Sequence, residues 1–125
     1  MSKYFYIALG GALGALARYA VGVWVYERMG TRFPYGTLLI NVTGCFLMGL
    51  VLAILDAHLE LNPAWRYAVP IGFIGAYTTF STFEYETLHA MQNGQAATAL
   101  LYFGSSLVLG FMAVWLGMQS GRVFA

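Results

Sequence analysis

Four long apolar runs, separated by short polar segments, organise this chain. Tyr4 to Tyr26 is interrupted only at Arg18, Tyr35 to Leu55 holds Asn41 and Thr43, and Ala96 to Met118 carries no charge. The third run, from about Tyr67 to Leu88, is the least regular. Each run is close to the roughly 20 residues that a membrane-spanning helix needs, so the pattern predicts four transmembrane helices. The segments between them, "ERMGTRFP", "HLELNPAWR" and "MQNGQ", have the charges, Gly, Pro and Asn of turns that meet water.

Composition agrees: 9% of residues are charged, where a soluble domain carries about 25%. The expected fold is an all-α, multi-pass membrane protein, with residues 1–125 as a single domain. Only Lys3 precedes the first apolar run, which is longer than a signal-peptide core of about 7 to 15 residues, so that run is expected to persist as the first helix. Cys45 is the single cysteine and reads as a small packing residue; His58 and His89 fall near helix ends with no metal-ligand spacing around them. No nucleic-acid partner is expected.

With four spans, one side of the membrane holds Lys3, Arg66 and Arg122 and the other Arg28 and Arg32. Three against two is nearly no positive-inside bias. Either a small bias with Arg18 sets one orientation, or the chain inserts both ways. Four such helices do not easily enclose a polar path, and so an oligomer is implied. "GGALGALA", with Gly10 and Gly14 one turn apart, offers a face on which another backbone can pack closely.

Polar groups inside the spans are expensive and are candidates for function. Arg18 lies past the middle of the first span, where its guanidinium either snorkels to the loop or lines a vestibule that attracts anions. Asn41 shares a stripe with Thr37 and Gly44, one turn to either side. In the fourth span Tyr102 shares a face with Ser105 and Ser106, a possible hydroxyl stripe unless the serines bond back to their own helix.

The third run is where the polarity concentrates. "PIGFIGAYTT" places Pro70, Gly72 and Gly75 ahead of the threonines, and it predicts a helix break around residues 75–79. A broken membrane helix offers carbonyls that suit a cation and amides that suit an anion. Past the break, Phe80, Phe83, Glu84 and Thr87 share one helical face, with Thr79, Thr82 and Glu86 on the adjoining one. The positive edge of an aromatic ring attracts a small anion, so the two phenylalanines join the hydroxyls as candidates.

"GGALGALARY", "GTLLINVTGCFLMG" and "GAYTTFSTFEYE" together resemble the Fluc, or CrcB, fluoride channels of bacteria, and the resemblance covers the whole chain. Ala76 stands where that family often has Gly, and Cys45 where it often has Ser. The resemblance implies an antiparallel, dual-topology homodimer in the bacterial inner membrane, surrounded by lipid, with two fluoride pores at the subunit interface. It implies a structural Na+ at the dimer centre, held by the backbone carbonyls of Gly75 and Thr78. The implied fluoride path comprises Asn41 as amide donor, Phe80 and Phe83 as ring edges, and Thr82, Glu86, Tyr102 and Ser106 as polar positions, with Arg18 near a vestibule. The implied activity is passive export of cytoplasmic fluoride, which protects the cell, with no catalytic step.

A small multidrug-resistance-type cation/proton antiporter is the alternative, since it shares the size and the balanced charges. Such proteins resemble one another in a first-span glutamate, and this first span has Arg18 instead. An embedded hydrolase would need a nucleophile with an acid or base in reach. Here Glu84 and Glu86 point about 160° apart on a helix, and the histidines sit at helix ends.

Overall fold

The computed structural model describes residues 2–125, and among them there are helices and no strands. Helix α1 spans Ser2–Met29 and ends where Gly30, at φ +70°, caps it by donating to the Tyr26 carbonyl at 3.0 Å. Pro34 then precedes α2, Tyr35–Ala57. After a short loop come α3 (Ala64–Arg66), a π-helical stretch (Tyr67–Ile74) and α4 (Gly75–Tyr77), which follow one another without a gap. Thr78 and Thr79 are extended, at ψ 157° and 112°, and α5 (Phe80–Gln92) starts afresh beyond them. Gly94, at φ +75°, turns the chain into α6, Ala96–Val123.

Helices α1, α2 and α6 are each long and apolar enough to cross a membrane. The third predicted span is instead two half-helices joined by two extended residues, so the expected break is present and lies at Thr78–Thr79. The π-helical stretch was not foreseen. Pro70 has no amide proton and its ring crowds the carbonyl four residues back, so the backbone widens by one residue per turn there. The Gly75 amide reaches back five residues to the Pro70 carbonyl, which closes the wide turn inside the helix.

Two backbone-close helix pairs hold the bundle. Helix α1 lies on the π-helical stretch so closely that a Cβ on Gly10 or Gly14 would strike the backbone of Ala68 or Phe73. Helices α2 and α6 meet in the same way, Gly49 against Val114 and Met118, and Gly117 against Phe46 and Leu50. Small residues allow this contact where water supplies no hydrophobic drive between helices. The large side chains accordingly point outward, as Leu13, Leu16, Phe111 and Trp115 do.

Candidate ion pathway at the helix break

Two extended residues at membrane depth leave backbone groups without helical partners, each costly unless satisfied within the protein. Asn41 of α2 meets the Thr79 peptide from both sides: its Nδ2 donates to the Thr79 carbonyl at 2.9 Å, and the Thr79 amide donates to its Oδ1 at 2.8 Å. The side-chain amide thus acts as a one-residue strand partner. Thr79 in turn caps α5, its Oγ1 accepting from the Thr82 amide at 3.3 Å and donating to Thr82 Oγ1 at 2.9 Å.

These substitutions strip two carbonyls of their usual donors. The Thr79 amide, which would close an α-helix on Gly75, goes to Asn41. The Thr82 amide, which would close one on Thr78, goes to the Thr79 hydroxyl. The Gly75 and Thr78 oxygens therefore keep their lone pairs at the end of a half-helix, where the helix dipole is negative. Beyond them, the N-terminus of α5 presents the opposite sign.

A second polar cluster lies along α5. Thr37 Oγ1 donates to Glu86 Oε1 at 2.5 Å, joining residues 49 apart in sequence. The Tyr102 hydroxyl and Ser106 Oγ are both buried and have no hydrogen-bond partner among the described residues. Ser105 is different: its hydroxyl returns to the Tyr102 carbonyl at 3.3 Å. Phe83, 4% exposed, sets its ring edge-on to that of Tyr102, with centroids 5.2 Å apart and planes at 73°, and stacks on Phe103. Phe80, three residues earlier, is 74% exposed, its ring 6.1 Å from that of Phe83.

Three open grooves connect these groups. The first, about 370 Å³, has Thr37, Glu86, Arg32 and His89 in its wall. The second, about 450 Å³, has Arg18, Thr37, Thr79 and Thr82. The third, about 320 Å³, has Asn41, Thr78, Thr79, Phe80, Phe83 and Ser106. Thr37 is common to the first two and Thr79 to the last two, so polar groups run along the fold from Glu86 to Ser106. The two adjoining faces of α5 open on different grooves, Thr82 on the second and Phe80 with Phe83 on the third, and these grooves meet at Thr79.

Of the residues singled out from sequence, Arg18, Asn41, Thr78, Phe80, Thr82, Phe83, Glu86 and Ser106 stand in these walls. Tyr102, 1% exposed, lies behind Phe83, and Gly75 sits one turn before the break. Asn41 arrives with one of its two amide hydrogens already given to Thr79. Sequence reasoning did not assign roles to Thr37 and Thr79. Their signals were faint: Thr37 is one turn from Asn41, and Thr79 is a threonine at a helix start.

Residues 5–118 match the family described as CrcB-like protein, Camphor Resistance (CrcB). The chain belongs to the CrcB family. A protein of Acidobacterium capsulatum named "Fluoride-specific ion channel FluC" is 76% identical over 120 residues, 96% of each chain. Proteins of the same name from Solibacter usitatus and Nitratidesulfovibrio vulgaris are 48% identical over 120 residues and 42% over 123. These cover 96% and 98% of this chain, and 98% and 99% of theirs. The CrcB match takes in α1, α2, the break and all three grooves, so the family reading drawn from the three sequence motifs holds. With three helices able to cross a membrane, this CrcB member is a multi-pass membrane protein.

Proposed function

We propose that this chain is a fluoride channel that lets cytoplasmic fluoride leave the cell down its electrochemical gradient. The observation that carries the reading is the pair of buried, unpartnered hydroxyls of Tyr102 and Ser106 beside the Phe83 ring. A buried hydroxyl without a partner is costly, and an anion passing in the adjoining groove supplies an acceptor. Asn41 has one amide hydrogen left to offer in the same groove. Thr82 and Arg18 line the neighbouring groove, where the guanidinium draws anions in. Thr37 holds the Glu86 carboxyl by one oxygen, which fixes that group in the wall of the first groove.

The pathway acts as an antiparallel homodimer inserted in both orientations in the bacterial inner membrane, with a pore on each side of the interface. The near-equal basic residues at the two ends support this, as does Phe80, a large aromatic left exposed beside the break in a single copy. A second copy would roof the open grooves. The Gly75 and Thr78 carbonyls fit a structural Na+, because both have lost their helical donors and both are uncharged oxygens suited to a hard cation. Bound there, the ion would supply a fixed positive charge at the end of the first half-helix.

The test is efflux from liposomes holding the purified protein, with fluoride compared with chloride at the same voltage. Rapid fluoride loss with little chloride loss is expected. No fluoride flux, or equal chloride flux, rules the reading out. A tag reachable on both faces of intact cells is expected if insertion is dual, and labelling on one face alone refutes that part.

A further inference from the structure

Three residues of α2 meet three consecutive residues at the break. Asn41 pairs with the Thr79 peptide, and Gly44 leaves room for the Thr78 methyl, which occupies the space a Cβ would take. The third contact is between Thr43 Oγ1 and the Tyr77 hydroxyl, 2.9 Å apart. Proton accounting gives its direction. The Thr43 hydroxyl has one hydrogen, and it points to α2's own carbonyls, Leu39 at 2.7 Å and Ile40 at 3.1 Å. Tyr77 is therefore the donor. Its ring is 7% exposed and stacks on Phe73, with centroids 6.0 Å apart and planes at 13°.

We propose that Tyr77 is a positioning residue which, through Thr43, sets the direction of the Gly75 and Thr78 carbonyls. Tyr77 is the last residue of α4, two residues after Gly75 has begun it and directly before Thr78. Asn41 and Gly44 fix the extended residues beyond α4, but two soft dihedrals per residue separate that anchorage from the α4 axis. The phenol is the only side chain of α4 able to hydrogen-bond, and it ties the half-helix to the same helix, α2, whose Asn41 holds the break. Rotation of α4 about its axis would swing the Gly75 oxygen away from Thr78's. The inference rests on the reading that these oxygens face a cation.

The test uses the full chain with Tyr77→Phe, Thr43→Val, the double variant and Thr43→Ser. Two quantities are measured: the 13C carbonyl shifts of Gly75 and Thr78 by NMR, and the sodium concentration giving half-maximal fluoride flux from liposomes. Tyr77→Phe and Thr43→Val are each expected to move both shifts, leave that of Gly94 in place, and raise the half-maximal sodium by about fivefold. The double variant should be no worse than either single one, and Thr43→Ser, which keeps the acceptor, should behave as the parent. Unmoved carbonyl shifts in Tyr77→Phe, or additive effects in the double variant, overturn the proposal. Parental flux indifferent to sodium would instead remove the cation reading, and the carbonyl shifts then judge Tyr77 alone: moved shifts support its role and unmoved shifts end it.

Discussion

Two interruptions lie within ten residues of each other in the third span, and they are repaired in opposite ways. At Pro70 the lost hydrogen bond is absorbed by the helix itself, through a wider turn in which Gly75 reaches back to the Pro70 carbonyl. At Thr78–Thr79 the helix does not repair itself; Asn41 and the Thr79 hydroxyl take over amides that the backbone would have used. The first repair leaves a buried segment pressed on α1 by Gly10 and Gly14. The second leaves free carbonyls, a fresh helix N-terminus and grooves on both sides. A helix defect becomes chemically useful only when its repair is delegated to another element, because only then do backbone groups remain unclaimed.

The contrast is broken most directly at Asn41. Asn41→Leu keeps the branched shape but strands the Thr79 amide and carbonyl, at about 1 to 3 kcal/mol each. Fluoride efflux is expected to fall at least about a hundredfold, either through loss of the folded protein on gel filtration or in a folded protein that no longer conducts. A folded variant with parental flux would show that the break does not depend on α2. Next in size is Phe83→Ile, which removes the ring edge facing Tyr102 and its stack on Phe103. Loss of such aromatic pairing costs about 1 kcal/mol, and a roughly fivefold to tenfold drop in flux with an intact fold is expected. Parental rates would reduce the ring to packing.

Pro70→Ala sharpens the comparison from the other side. It returns an amide hydrogen to a turn that is already closed, so the unfolding transition in detergent is expected to shift by about 1 kcal/mol or less, with flux unchanged. A large loss of flux would mean that the two repairs are coupled. The smallest effect lies away from both, at the C-terminal end of α6. His58 faces the Phe124 carbonyl through Nε2 at 3.1 Å and Glu60 Oε1 through Nδ1 at 3.0 Å, two acceptors that only the imidazolium can satisfy at once. The Phe124 carbonyl first, and Glu60 after it, hold His58 above its ordinary value of 6.5. Glu60 is held below its ordinary 4.5 by a backbone hydrogen bond and then by His58. The histidine's share is complete below pH 6.5 and is lost as pH rises through its raised value; the glutamate's is present above 4.5 and is lost as pH falls through its lowered one. Hydrogen exchange at residues 121–125, corrected for intrinsic rates, should be slowest between those limits and faster at about pH 8.5. His58→Gln should remove the pH dependence, and an unchanged profile would refute the clamp.

The apolar runs and the break were legible because each is a local property: run length sets a span, and Pro and Gly ahead of threonines weaken one helix. Asn41, Phe83 and Glu86 stood together through the family's motifs rather than through spacing, whereas Ser106 was singled out by its spacing from Tyr102. What sequence did not carry is who repairs what. Thr37 with Glu86, Asn41 with Thr79 and Thr43 with Tyr77 join residues 49, 38 and 34 apart, and each depends on how α2 lies against the third span. The wheel also put Phe80 and Phe83 on one face, yet one is exposed and the other buried against α6, because α6 covers only part of that face. The serine pair was undecided for the same reason, and it divided: Ser105 bonds back to its helix and Ser106 does not.

The Asn41–Thr79 pairing also fixes an order of events during synthesis. Asn41 is synthesised 38 residues before Thr79, so α2 is made while its carboxamide has no partner peptide. The third span cannot close its own gap when it follows; its two halves gain a stable bend only on arrival beside the waiting amide. The break is thus templated by a part of the chain made earlier: α2 dictates where the next helix stops being a helix.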